Sequence, residues 1–146
     1  MVTFFNINNQ KGGLKINPLI IQLEKIFKKD FKKPAVVSLA IVDEKTSQKL
    51  NWKYRRKKKA ADILTFVYKE RGAAGEIILC YGKVKERAKR EGEIVLKTAI
   101  RLVVHGLFHI LGYTHEKNKS ALKMEKKEQA ALKKIKYTPL EVRRGE

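Results

Sequence analysis

Cysteine is almost missing from this chain, with Cys80 the single example. No disulfide can form within it, which excludes a disulfide-stapled scaffold and fits a reducing compartment. Cys80 closes the apolar run Ile77-Ile78-Leu79-Cys80 and reads as a small buried hydrophobe rather than a nucleophile. Acidic residues are scarce: 15 Asp and Glu stand against 34 Lys and Arg, a formal net charge of +19. A heat-adapted surface would carry both signs in quantity. The cationic excess instead attracts polyanions with a salt-dependent, sequence-blind affinity, which points to a nucleic-acid partner. Long apolar runs are lacking as well, so no membrane span is expected. Met1-Val2-Thr3-Phe4-Phe5-Asn6 has no basic stretch leading into an apolar one, so no secretory leader is expected and the expected location is cytoplasmic. There is no internal repeat and no long linker.

What is present suffices for an ordinary core. Hydrophobic residues make up 43% of 146 positions, the size of one domain, so 1–146 is read as a single unit with 137–146 as a frayed tail. Alternation predicts a strand over 2–8, and helical spacing of Leu19, Ile20, Leu23 and Ile26 predicts a helix over 17–29. Residues 35–42 read as a buried strand and 44–56 as a helix. Strands follow at 63–68 and 76–81, joined by a hairpin loop over 71–75. Helices are expected at 83–91, stopped by Gly92, at 93–111 and at 119–135. The fold class is therefore α/β (α+β), a small mixed four-stranded sheet covered by about five helices on both faces.

All three histidines lie between 105 and 115, in the run His105-Gly106-Leu107-Phe108-His109-Ile110-Leu111-Gly112-Tyr113-Thr114-His115. A helix puts His105 and His109 on one face, one turn apart. Gly112 can adopt the left-handed conformation that ends the helix, and the chain can then bring His115 back to the same point. Three imidazoles with an open fourth position suit a catalytic zinc. Paired core histidines are the plain alternative, but unpaired imidazoles on so apolar a helix would be costly. The spacing is that of the zinc-protease pattern H-E-x-x-H-x-x-G-x-x-H, except that Gly106 replaces its general-base Glu. Peptide hydrolysis thereby loses its proton acceptor, and Gly106 is read as leaving room for a bulky substrate beside the metal.

Asn51-Trp52-Lys53-Tyr54-Arg55-Arg56-Lys57-Lys58-Lys59 joins five consecutive cations to two aromatics. Arg55, Arg56, Lys57, Lys58 and Lys59 are read as RNA-binding. The alternative is a solvated helix end. Arg55 is set apart because a guanidinium can hold two phosphate oxygens, and it is the candidate catalytic residue. Asp62 reads as a turn residue, and Met124 as a core filler.

These motifs resemble those of the YbeY family of bacterial rRNA-maturation endoribonucleases. The family pattern H-G-x-L-H-L-x-G-Y-D-H is matched by residues 105–115. L-N-x-x-Y-R is matched by Leu50 to Arg55, T-D-V-L-S-F-P by Ala61 to Val67, and G-D-I-x-I-C by Gly75 to Cys80. Met124, Glu128 and Leu132 resemble the closing helix. Three departures stand out: Thr114 for Asp, Ala61 for Thr and Val67 for Pro. None removes a metal ligand, although Thr114 cannot act as a carboxylate beside His115. The resemblance implies an α/β/α sandwich, a role for Arg55, and zinc-dependent cleavage of single-stranded RNA in 16S rRNA 3′-end maturation and ribosome quality control. RNA and the ribosome are the implied partners. Two other readings compete. One is a zinc peptidase or other metal hydrolase. The other is a non-catalytic RNA-binding module whose structural metal would need a fourth ligand, for which Cys80 is the only thiol.

Overall fold

A computed structural model describes residues 2–9, 14–31, 34–68, 73–113 and 118–139, with backbone only for 2–9, 73 and 118–120. His115 and Thr114 lie outside the described residues, as do Gly72 and the tail from Leu140. The elements are β1 (Val2–Asn9), α1 (Asn17–Ile26), β2 (Ala35–Val42), α2 (Glu44–Arg55), β3 (Ile63–Val67), β4 (Ala73–Cys80), α3 (Tyr81–Glu91), α4 (Val95–Ile110) and α5 (Asn118–Lys133).

The strands form one mixed sheet in the order β1-β2-β4-β3. β1, β2 and β4 run parallel, and β3 lies antiparallel on the outer edge of β4. Alternation along the central strands divides the core. Val37, Leu39 and Ile41 of β2 and Ile77 and Leu79 of β4 join one large cluster with α1, α3, α4 and α5. Val42, Leu64 and Ile78 make a small cluster with Leu50 of α2 and with Phe66. The helices therefore do lie on both faces, but unequally.

α4 decides where the chemistry sits. Eleven of its residues are buried, among them Val103, Val104 and Leu107 with no exposure. Each such burial stabilises by about 1.5–3 kcal/mol, so the rotation of α4 about its axis is fixed by packing. What remains uncovered is Lys97, Arg101, His105 and His109, a stripe with a four-residue period, together with Ile110.

The hairpin differs from expectation. β4 begins at Ala73 instead of residue 76, so the expected loop is largely strand, and 69–72 fall outside the described residues. Gly75 pairs with Val67 and Val37 inside the ladder. A Cβ there would meet the Phe66 carbonyl at 2.5 Å and Ile110 Cδ1 at 2.8 Å, so close approach of β3 and α4, not a turn, requires this glycine. α3 starts two residues earlier than its charge pattern suggested. Tyr137, assigned to a frayed tail, packs against the core under the Lys97 ammonium, and Lys136 exchanges two 2.8 Å hydrogen bonds with Gln22.

Candidate metal centre

The way α4 ends builds half of the histidine environment. Gly112 carries φ +102°, a conformation open to glycine and strained for other residues. The Gly112 N–H donates to the His109 carbonyl and the Tyr113 N–H to the Phe108 carbonyl, both at 3.0 Å. This is a Schellman closure, with its hydrophobic contact supplied by the Phe108 and Tyr113 rings, 5.6 Å apart and perpendicular. The turn also brings the Tyr113 carbonyl to 3.1 Å from His109 Nδ1. The second histidine is held from another element: Glu128 Oε1 of α5 lies 2.8 Å from His105 Nδ1.

These two contacts fix the protons. A ring nitrogen facing a carbonyl or a carboxylate is the N–H, so both Nδ1 atoms donate and each ring, when neutral, presents its lone pair at Nε2. The Nε2 atoms converge to 2.9 Å, with ring planes at 81°. Two lone pairs aimed at one point repel unless a proton or a metal cation sits between them. Each imidazole is also oriented from behind by an oxygen, the arrangement that surrounds metal-bound histidines. His105 and His109 therefore fit a divalent cation. His115, the expected third ligand, lies outside the described residues, and among those described no cluster of three metal-binding side chains occurs.

Gly106 does not have the role expected of it. It is buried against the sheet, where a Cβ would lie 3.0 Å from Thr65 Oγ1 and 3.1 Å from Ile77 Cδ1. The absent side chain makes room for β3 and β4, not for a substrate. A carboxylate at 106 would point into the sheet, so this packing offers no peptidase-type general base there. Cys80 is buried at the end of β4, and burial pushes its thiol pKa up. That is the environment of a core thiol, as expected, rather than that of a nucleophile.

The basic run divides by direction. Arg55, Lys57 and Lys59 line a cleft of about 360 Å³ between the loop after α2 and helix α3. Arg56 does not line it. It caps α2 with φ +56° and lies 5.4 Å over the Trp52 ring. Lys58 is absent from the lining too, and its carbonyl accepts from Gln48 Nε2 at 2.7 Å. Neither described histidine is among the residues that line this cleft. A chain of ion pairs spans the surface between the two places. Asp62 Oδ2 pairs with Arg87 Nη1 at 2.7 Å and Arg87 Nε with Glu91 at 3.0 Å. Glu91 and Glu93 in turn hold Arg101, one turn before His105. Arg87 and Arg101 beside Glu91 hold its carboxyl below the usual range. Asp62 also accepts from the Ile63 N–H at 2.8 Å, the expected turn role, while its ion pair was not foreseen.

Glu128 is the histidine partner that motif reading did not single out. Its signal was available: Met124, Glu128, Ala131 and Ile135 fall on one helical stripe, and a carboxylate among buried positions demands a partner.

The family model for "Endoribonuclease YbeY" matches residues 6–136. The chain belongs to the endoribonuclease YbeY family. A YbeY protein of Polynucleobacter asymbioticus is 37% identical over 105 residues, covering 70% of this chain and 68% of that relative. One from Mycoplasmopsis synoviae is 33% identical over 130 residues, covering 82% and 81%. The solution structure of TM1509 from Thermotoga maritima has a TM-score of 0.70 at 29% identity, covering 92% of this chain and 88% of that one. The YbeY match thus takes in α4 with His105 and His109, the basic loop and the closing helix with Glu128. Among the described residues, no helix is long and apolar enough to cross a membrane.

Proposed function

We propose that this chain is a zinc-dependent, single-strand-specific endoribonuclease that acts in 16S rRNA 3′-end maturation and ribosome quality control. The observation that carries the reading is the convergence of the His105 and His109 Nε2 lone pairs, each ring oriented from behind by Glu128 or the Tyr113 carbonyl. Family membership and the +19 charge make RNA the substrate. His105, His109 and His115 hold one metal ion, and an all-nitrogen donor set favours zinc. When bound, zinc supplies Lewis acidity toward a phosphoryl oxygen and toward a water molecule. Glu128 and the Tyr113 carbonyl keep the imidazoles in the tautomer that presents Nε2. Arg55, at the end of α2, neutralises phosphate charge, with Arg56, Lys57, Lys58 and Lys59 adding general attraction. The site of action is the cytoplasm, with the ribosome as partner. Cys80, buried and unpaired by disulfide, needs no oxidising compartment.

The test is cleavage of labelled single-stranded RNA and of the same sequence in a duplex. Wild-type protein is expected to cut the single strand and spare the duplex, and the double variant His105→Ala, His109→Ala to cut neither. Equal cleavage by that variant would reject the metal-centred reading. Cleavage of a peptide substrate and not of RNA would favour the peptidase.

A further inference from the structure

The basic cleft is more than a cluster of surface lysines. The loop forming one wall is tied down by three side chains of α2. Gln48 donates to the Lys58 carbonyl and Asn51 to the Lys59 carbonyl, each at 2.7 Å. Ser47 Oγ donates to the Ala61 carbonyl at 2.8 Å and accepts from the Ala61 N–H at 3.0 Å. Ser47 and Asn51 are almost wholly buried. Asn51 holds the loop at a cost, because its Oδ1 is buried without a hydrogen-bond partner among the described residues. At the far end of the loop the Asp62–Arg87 ion pair fastens it to α3. Both walls are thus set before any ligand arrives, and preorganisation of this kind lowers the ordering entropy lost on binding.

The opposite wall is α3, whose Lys83, Arg87 and Arg90 stand at i, i+4 and i+7 on one face. With Arg55, Lys57 and Lys59 they set six cations against the carboxylates of Asp62 and Glu86 in the lining. Asp62 is engaged with Arg87, and Glu86 forms only an exposed pair with Lys83 at 3.2 Å. A fixed cleft with this excess of positive charge suits a sugar-phosphate backbone.

We propose that RNA is also held in this cleft, whose lining includes neither described histidine, with Lys83 and Arg90 of α3 gripping backbone phosphates opposite Lys57 and Lys59. The proposal rests on the RNA reading above. It adds that the strand is held in the cleft as well as at the histidines, the Arg87–Glu91–Arg101 ion pairs joining the cleft wall to α4.

The experiment measures how the affinity for a fluorescent single-stranded RNA of about 12 nucleotides changes with salt. Anisotropy is read on the protein as purified, and gels confirm that the RNA is intact. The variant Lys83→Gln, Arg90→Gln is compared with Lys25→Gln, Lys28→Gln, which removes the same charge from the α1 region. Losing two phosphate contacts is expected to lower the slope of log affinity against log salt by about 1.4, at about 0.7 per contact on a single strand. The α1 variant is expected to keep the wild-type slope, and Lys83→Arg, Arg90→Lys to restore it, which rules out misfolding as the cause. Equal slopes in the α3 and α1 variants would overturn the cleft while leaving RNA binding intact. A flat wild-type titration would overturn the RNA reading itself, and the cleft with it.

Discussion

Replacing Glu128 by Gln isolates what the carboxylate does for His105. The exchange keeps the length of the side chain and an oxygen that can still accept from Nδ1, but removes the charge. Glu128 is mostly covered, with 15% side-chain exposure, and its Oε1 is 2.8 Å from Nδ1. In so sheltered a place the carboxylate raises the electron density that Nε2 can give to a metal. Loss of such a partner costs about 10–100-fold in metal affinity, or about 1.4–2.7 kcal/mol. Glu128→Gln is expected near the lower figure and Glu128→Ala near the upper, because Ala also releases the ring orientation. The assay is competition between apoprotein and a chromophoric chelator for zinc, with thermal unfolding of the apo forms alongside. Unchanged zinc affinity in both variants, with normal folding, would refute the tautomer argument and reduce Glu128 to a helix-packing residue.

Arg55→Ala is expected to slow single-turnover RNA cleavage by about 10²–10³ with zinc content and unfolding temperature unchanged, whereas Lys58→Ala, outside the cleft lining, has little effect. Equal modest losses would make Arg55 one more surface cation. Gly106→Glu is expected to cost about 3 kcal/mol or more in chemical denaturation, since it forces a carboxylate between Thr65 and Ile77. A stable Gly106→Glu protein with peptidase activity would contradict the packing argument. Cys80 is expected to resist a thiol reagent in native protein at neutral pH and to react on unfolding. Its folded pKa lies above the unfolded value. The associated stability is thus complete below the unfolded thiol pKa and is lost as pH rises from there through the folded one. Rapid native labelling would show that the thiol is accessible.

Strong periodicity made most of the fold legible. The run Ala35–Val42 and the apolar stretch of α4 each fit one structure only, and Asp43 marks the start of α2 by accepting from the Thr46 N–H at 2.8 Å. The extent of the hairpin loop was misjudged because Gly72, Ala73 and Gly75 look like turn residues, and the pairing of Gly75 with Val37 and Val67 is a tertiary fact. His105 and His109 were legible because their spacing is local. The Glu128–His105 and Glu91–Arg101 contacts were harder to find, since these partners are brought together only by the packing of α3, α4 and α5. Gly106 was noticed but misread, because sequence shows that a side chain is missing and not which neighbour fills its place.

The central claim is that RNA cleavage depends on one metal ion held by the histidines. Its most direct test is zinc titration into metal-free protein while single-stranded RNA cleavage is followed under single-turnover conditions. Activity is expected to be absent at the start, to rise in proportion to added zinc and to level off at one equivalent. Full cleavage by the metal-free protein, or an equal rise in the His105→Ala, His109→Ala variant, would contradict it.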